Sequence, residues 1–172
     1  MTNPKFLLTK NKNKGINMKS IQIFTDGAGS GNPGNGGYGA ILKYGEHIKE
    51  ICQGYRLTTN NRMELLAAIT ALEMLKEPCF VELYSDSKYL VDSINLGWLK
   101  KWQANGWKKS GSEKAKNIDL LTRLVKQLEV HDVKFIWVKG HDCHPENERC
   151  DTLATGAAKS GNLIEDAGYN NQ

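Results

Sequence analysis

The sequence has no apolar run approaching a membrane span, and Phe6-Leu7-Leu8 near its start is too short for a signal-peptide core. Its four cysteines, at 52, 79, 143 and 150, do not form a disulfide framework in a chain of 172 residues, so a reducing cytoplasm is the expected setting. No internal repeat is visible. A basic body is lacking too: of the net +4, residues 1–17 hold four lysines and no acid, leaving nineteen basic against nineteen acidic side chains elsewhere. That stretch has no hydrophobic period. Residues 1–18 are therefore expected to be a disordered, lysine-rich leader, with Met18 a candidate start. The length suits one domain with a single substantial core.

What is present centres on residues 20–39, SIQIFTDGAGSGNPGNGGYG. Ile21, Ile23 and Thr25 alternate with Gln22, Phe24 and Asp26, the pattern of a β-strand. The strand is expected to stop at Asp26, where glycines take over. A carboxylate at the carboxyl end of a strand lies on the edge where open α/β sheets bind ligands, and glycines there let a large substrate approach. A long hairpin turn whose Asp bonds only its own backbone fits this stretch equally well.

The rest of the chain adds weight. Residues 38–44 and 47–55 read as strands around a tight turn at Gly45-Glu46. Leu65, Leu66, Ile69, Leu72 and Leu75 mark a helix over 60–75, stopped by Pro78. Residues 79–85 alternate again and end at Asp86. Strand, hairpin, crossover helix and new strand most simply set the first and fourth strands parallel and adjacent. Asp26 and Asp86 would then be neighbours, an unfavourable like-charge pair without a cation between them. Glu64, in the first turn of the helix, and Asp151, near the start of a last helix, each suit a helix dipole individually. All four can face one edge of the sheet, however, and such a cluster suits hard divalent ions. Two Mg²⁺ ions about 4 Å apart would clamp the attacking and leaving oxygens of a phosphodiester.

Residues 87–95 and 118–129 read as helices and 132–139 as a final strand. Between them, residues 98–116, WLKKWQANGWKKSGSEKAK, carry three tryptophans and six lysines against one acid. The tryptophans are expected to pack inward, Trp98 with Trp102. The lysines suit a phosphate backbone. Residues 161–172, rich in Gly and Asn with little to bury, are expected to be a mobile tail.

FTDGAGSGNPGNGGYGA, TTNNRMELLAA, LYSDSKYL and WVKGHDCHPENERCD, in this order, closely resemble the motifs of bacterial type 1 ribonucleases H. The resemblance spans residues 19–160. It implies an α/β, ribonuclease H-like fold, a five-stranded mixed sheet in the order 3-2-1-4-5 flanked by helices. It also implies metal-dependent cleavage of the RNA strand of RNA–DNA hybrids, giving 5′-phosphate and 3′-hydroxyl ends. By the same resemblance Asp26, Glu64, Asp86 and Asp151 hold two Mg²⁺ ions, with Mn²⁺ a substitute, and His141 is the catalytic histidine that moves a proton or helps product leave. Asn32, Thr59, Asn60 and Asn61 fall at substrate-contacting positions, the asparagines near 2′-hydroxyls and Thr59 at a DNA-strand phosphate. Residues 98–116 resemble the family's basic protrusion, whose Lys100, Lys101, Lys108 and Lys109 are expected to bind the hybrid. No obligate protein partner, no membrane and a monomer are expected. Ala28, Gly29 and Ser30 depart from the family pattern, and Cys143 adds a thiol beside His141. The leader lacks the size of an amino-terminal hybrid-binding module.

Three other readings are weaker. Zinc held by His141, Cys143, His144 and Cys150 has irregular spacing. A transposase, integrase or junction resolvase would not be expected to carry the TNNRME run with a basic protrusion. A silent hybrid-binding module predicts a missing carboxylate, and all four are here.

Overall fold

The computed structural model describes residues 17–142 and 144–170; the proposed leader up to residue 16, and Cys143, lie outside them. Three strands, β1 (Lys19–Gly31), β2 (Gly34–Tyr44) and β3 (His47–Thr58), form an antiparallel meander. The two-residue turn between β2 and β3 is Gly45-Glu46, with Gly45 at a φ of 57°, the left-handed region such turns require. Helix α1 (Asn60–Glu73) crosses to β4 (Cys79–Ser85), which pairs parallel to β1. Next come α2 (Lys88–Asn95), α3 (Trp98–Ala104), a small hairpin of β5 (Lys108–Ser110) and β6 (Glu113–Lys114), and α4 (Ile118–Val130). The chain continues through β7 (Asp132–Trp137), α5 (Pro145–Lys159), β8 (Leu163–Glu165) and α6 (Ala167–Asn170).

The sheet order is β7-β4-β1-β2-β3-β8. The expected 3-2-1-4-5 arrangement is its core, with β7 as the fifth strand, but the count of five is corrected to six. Strand β8 adds parallel to the outer edge of β3. Side chains of β3 reach for it: Arg56 Nη1 donates to Glu165 Oε1 at 2.5 Å, Arg56 Nη2 to the Leu163 carbonyl, and Gln53 Nε2 to the Asn162 carbonyl. The segment expected to be a mobile tail thus carries a strand and a short helix. Backbone pairing and one buried charge, Asp166, fasten it rather than apolar burial, so its composition gives little sign of it.

A second difference concerns β1. It does not stop at Asp26 but runs on to Gly31, paired with β2 down to Gly31 opposite Gly34. What stops at that point is the parallel ladder with β4, whose last pair is Thr25 and Ser85. Two residues beyond that last pair stands Gly27. A Cβ there would sit 2.6 Å from the Glu64 nitrogen and 2.8 Å from the Met63 carbonyl carbon, so only glycine lets α1 lie this close to the strand.

Helix α1 is buried along nearly its whole length, which is why its apolar residues go round the helix rather than forming one stripe. Leu65, Ile69 and Leu72 meet Ile23 and Leu83 from the sheet and Leu121 and Leu124 from α4 in the main core. A smaller cluster of Phe24, Ile41 and Cys150 seats α5 against the sheet. Leu99 and Trp102 anchor α3 to the main core and Trp107 packs against it, while Trp98 remains 37% exposed.

Candidate active site

The parallel register of β1 and β4 determines the centre of the site. Thr25 and Ser85 are the last paired residues, so Asp26 and Asp86 are the next on adjacent strands. The end of β4 is held by the Val138 amide, which donates to the Ser85 carbonyl at 3.0 Å, and by Trp137 Nε1, which donates to the Asp86 carbonyl at 3.1 Å. Helix α1, brought in over Gly27, delivers Glu64. Carboxylate oxygens of Asp26, Glu64 and Asp86 all lie within 4.8 Å of one another, the first two buried and the third half-buried.

Glu64 is the fifth residue of α1, and the first turn of that helix holds no acid. The expectation of a first-turn glutamate is therefore corrected, and the helix dipole, which acts within the first turn, does not account for it. Instead Glu64 Oε2 is buried with no hydrogen-bond partner, alone in this among the described residues. Burial first, then the charges of Asp26 and Asp86, push the Glu64 carboxyl well above its usual value. Burial, followed by the charge of Asp86, raises Asp26 to about 7, although the Gly27 amide donates to Asp26 Oδ1 at 2.8 Å. Three clustered carboxylates, one with an orphaned buried oxygen, fit a hard divalent cation: the donors are all oxygens and negative charge is in excess.

Asp151 does not join this trio. It sits half-buried on α5, within reach of Thr155 Oγ1 at 3.5 Å, although its charge is felt at Asp26. His141 is exposed, with a left-handed φ of 58°, on the loop after β7. Its neighbour Gly140 comes close to the trio: a Cβ there would lie 2.7 Å from Asp86 Oδ2. Zinc finds no support among the described residues, where the trio is the one grouping of metal-ligating side chains and Cys150 Sγ donates to the Phe24 carbonyl.

The remaining candidates flank the trio. Thr59 caps α1, its hydroxyl accepting from the Arg62 amide at 3.3 Å. Asn32 Oδ1 accepts from the Asn60 amide at 3.2 Å, which brings the glycine-rich strand end to the start of the helix. A groove of about 710 Å³ then opens between α1 and the protrusion, lined among others by Asn61, Tyr89, Lys101, Lys109 and Asn117. Lys100 and Lys108 are exposed on the protrusion but do not line that groove.

Sequence reasoning passed over Arg62. It is 1% exposed and meets two acids, Asp119 and Asp166. A basic residue in the first turn of a helix opposes the dipole, which was the available signal that it is paired.

A family model described as RNase H matches residues 18–159. A ribonuclease H of Desulforamulus reducens is 60% identical over 153 residues, covering 89% of this chain and 96% of that protein. One of Syntrophus aciditrophicus is 58% identical over 151 residues, covering 88% and 87%. Among solved structures, LC9-RNase H1, a type 1 RNase H with the type 2 active-site motif, is similar with a TM-score of 0.75 at 28% identity, over 90% of this chain and 81% of that one. LC11-RNase H1, solved in complex with RNA/DNA hybrid, has a TM-score of 0.61 at 24% identity over 80% and 96%, a likeness of fold.

Proposed function

Since the chain belongs to the ribonuclease H family, metal-dependent hydrolases that cleave the RNA strand of RNA–DNA hybrids, we propose that it does so with Asp26, Glu64, Asp86 and Asp151 as ligands for two Mg²⁺ ions. The observation that carries the ligand assignment is the orphaned oxygen of Glu64 beside two further carboxylates. When bound, the ions supply Lewis acidity for in-line attack by water and for the departing 3′-oxygen, leaving 5′-phosphate and 3′-hydroxyl ends. Mn²⁺ substitutes.

Each residue contributes differently. Asp26 and Asp86, central on adjacent strand ends, concentrate negative charge where cations are needed, and Glu64 completes the cluster from the helix. Asp151, half-buried and outside the trio, would add a fourth carboxylate to hold the ions, its charge already being felt at Asp26. His141, on an exposed loop beside Gly140, carries a proton to or from the departing strand. Thr59 receives a phosphate of the DNA strand, and Asn32, Asn60 and Asn61 read the minor groove beside the 2′-hydroxyls that mark RNA. Lys100, Lys101, Lys108 and Lys109 hold the duplex backbone outside the cleavage site.

The reading is of a monomer with no obligate protein partner. No helix among the described residues is long and apolar enough to cross a membrane. Cys52, Cys79 and Cys150 are free thiols, which fits a cytoplasmic setting. Product-end analysis tests the chemistry: RNA fragments from a Mg²⁺ digest of hybrid should be extendable by a polymerase without phosphatase treatment. Fragments that need 3′-phosphate removal first would overturn it.

A further inference from the structure

The guanidinium of Arg62 is held by two acids far away in sequence. Nε donates to Asp166 Oδ2 at 2.6 Å and Nη2 to Asp166 Oδ1 at 2.8 Å, while Nη1 and Nη2 donate to the Asp119 carboxylate at 2.9 and 2.7 Å. Asp166 Oδ2 also accepts from Thr58 Oγ1 at 2.6 Å. Thr58 is the last residue of β3 and Arg62 the third of α1. One carboxylate from the carboxyl-terminal segment therefore grips both sides of residues 59–61. The forked guanidinium accepts only a narrow range of geometries, and burial strengthens each bond.

The same network reaches the groove. Asn117 stands near Arg62, its Oδ1 3.5 Å from Nη1, and its Nδ2 donates to the Tyr89 hydroxyl at 3.2 Å. Asn117 and Tyr89 share the groove lining with Asn61. Asp166 is itself tied into α6, its carbonyl accepting from the Tyr169 amide at 3.0 Å.

We propose that Asp166 is a positioning residue for hybrid recognition: acting through Arg62 and Thr58, the β8–α6 segment fixes the backbone of residues 59–61 in the one arrangement that meets the duplex. This rests on the reading of Thr59, Asn60 and Asn61 as substrate contacts. Removing the Asp166 charge leaves the trio of carboxylates in place but loosens the segment just before them. Binding and substrate discrimination should suffer more than the chemical step.

The test compares Asp166→Asn, Thr58→Val, Thr59→Ala and Asn61→Ala in the full chain, each assayed well below its own melting midpoint. Asp166→Asn is expected to raise KM for hybrid by about tenfold with kcat largely kept, and to narrow the preference for hybrid over double-stranded RNA. Thr58→Val removes one bond to Asp166 while leaving the Arg62 pair intact, and should move KM the same way by a smaller factor, so a poorly folding Asp166→Asn does not end the experiment. An unchanged KM in Thr58→Val and in folded Asp166→Asn, with only a lower melting midpoint, would make the network purely structural and overturn the proposal. If Thr59→Ala and Asn61→Ala raise KM while the Asp166 and Thr58 variants do not, the positioning role alone fails. If none of the four changes KM, the substrate-contact reading has failed and the positioning role with it.

Discussion

Glu64 lies within 4.8 Å of Asp26, oxygen to oxygen, and its own Oε2 is buried without a partner. Two acids so placed oppose one another in a metal-free protein. Burial and the charge of Asp86 hold Asp26 near 7, against an ordinary 3.8. An acid whose pKa is raised by folding binds its proton more tightly in the native state, so stability falls as pH rises from the unfolded pKa to the folded one. The metal-free protein should therefore lose stability between pH 4 and pH 7, by on the order of 4 kcal/mol from Asp26, and level off above. Asp26→Asn should flatten that slope. Denaturant melts in EDTA across this range check it, and a slope unaltered by the substitution would contradict the assignment.

Gly27 sets how closely α1 approaches β1. Gly27→Ala places a methyl group 2.6 Å from backbone that cannot yield cheaply. The expected cost is about 1–3 kcal/mol of stability, with a loss of activity as Glu64 is pushed away from Asp26. Chemical denaturation and hybrid cleavage measured together test this; a stable, fully active variant would refute the tight-seam account.

Arg62 is the cation of a buried network. Burial disfavours its charge, but its hydrogen bonds to the Asp119 and Asp166 carboxylates outweigh that and raise its pKa above the usual arginine range. Arg62→Ala would leave the buried Asp166 without its cation and should destabilise the fold by about 3–5 kcal/mol. A thermal shift assay is sufficient to see it.

Much of this was legible in advance. Strands β1 to β4 and β7 and helices α1 and α4 follow from hydrophobic period, and the convergence of Asp26, Glu64 and Asp86 follows from chain order plus the parallel-neighbour rule. Three things were not. The ladder of β1 ends with β4 at Thr25 but continues with β2 to Gly31, a distinction that depends on the partner strand and has no local signal. The carboxyl-terminal segment is held by Arg56, Arg62 and backbone pairing, so an apolar count overlooks it. The separation of Asp151 from the trio was equally hidden, because it depends on where along β2 and β1 helix α5 docks.

The exposed lysines of the protrusion should act as a unit. Replacing Lys100, Lys101, Lys108 and Lys109 with Gln should weaken hybrid binding at low salt. It should also reduce the slope of log affinity against log salt by about 0.9 for each phosphate no longer neutralised. Cleavage of saturating short hybrid should persist. An unchanged slope would remove the protrusion from the binding surface.

The most direct test of the central claim is cleavage of end-labelled RNA–DNA hybrid, single-stranded RNA, double-stranded RNA and double-stranded DNA. Each would be run with Mg²⁺, with EDTA, and with folded Asp26→Asn protein. The account predicts cutting of the RNA strand of the hybrid alone, absent in EDTA and abolished by the substitution. Hybrid cleavage that persists in the Asp26→Asn protein, or in EDTA, would contradict it.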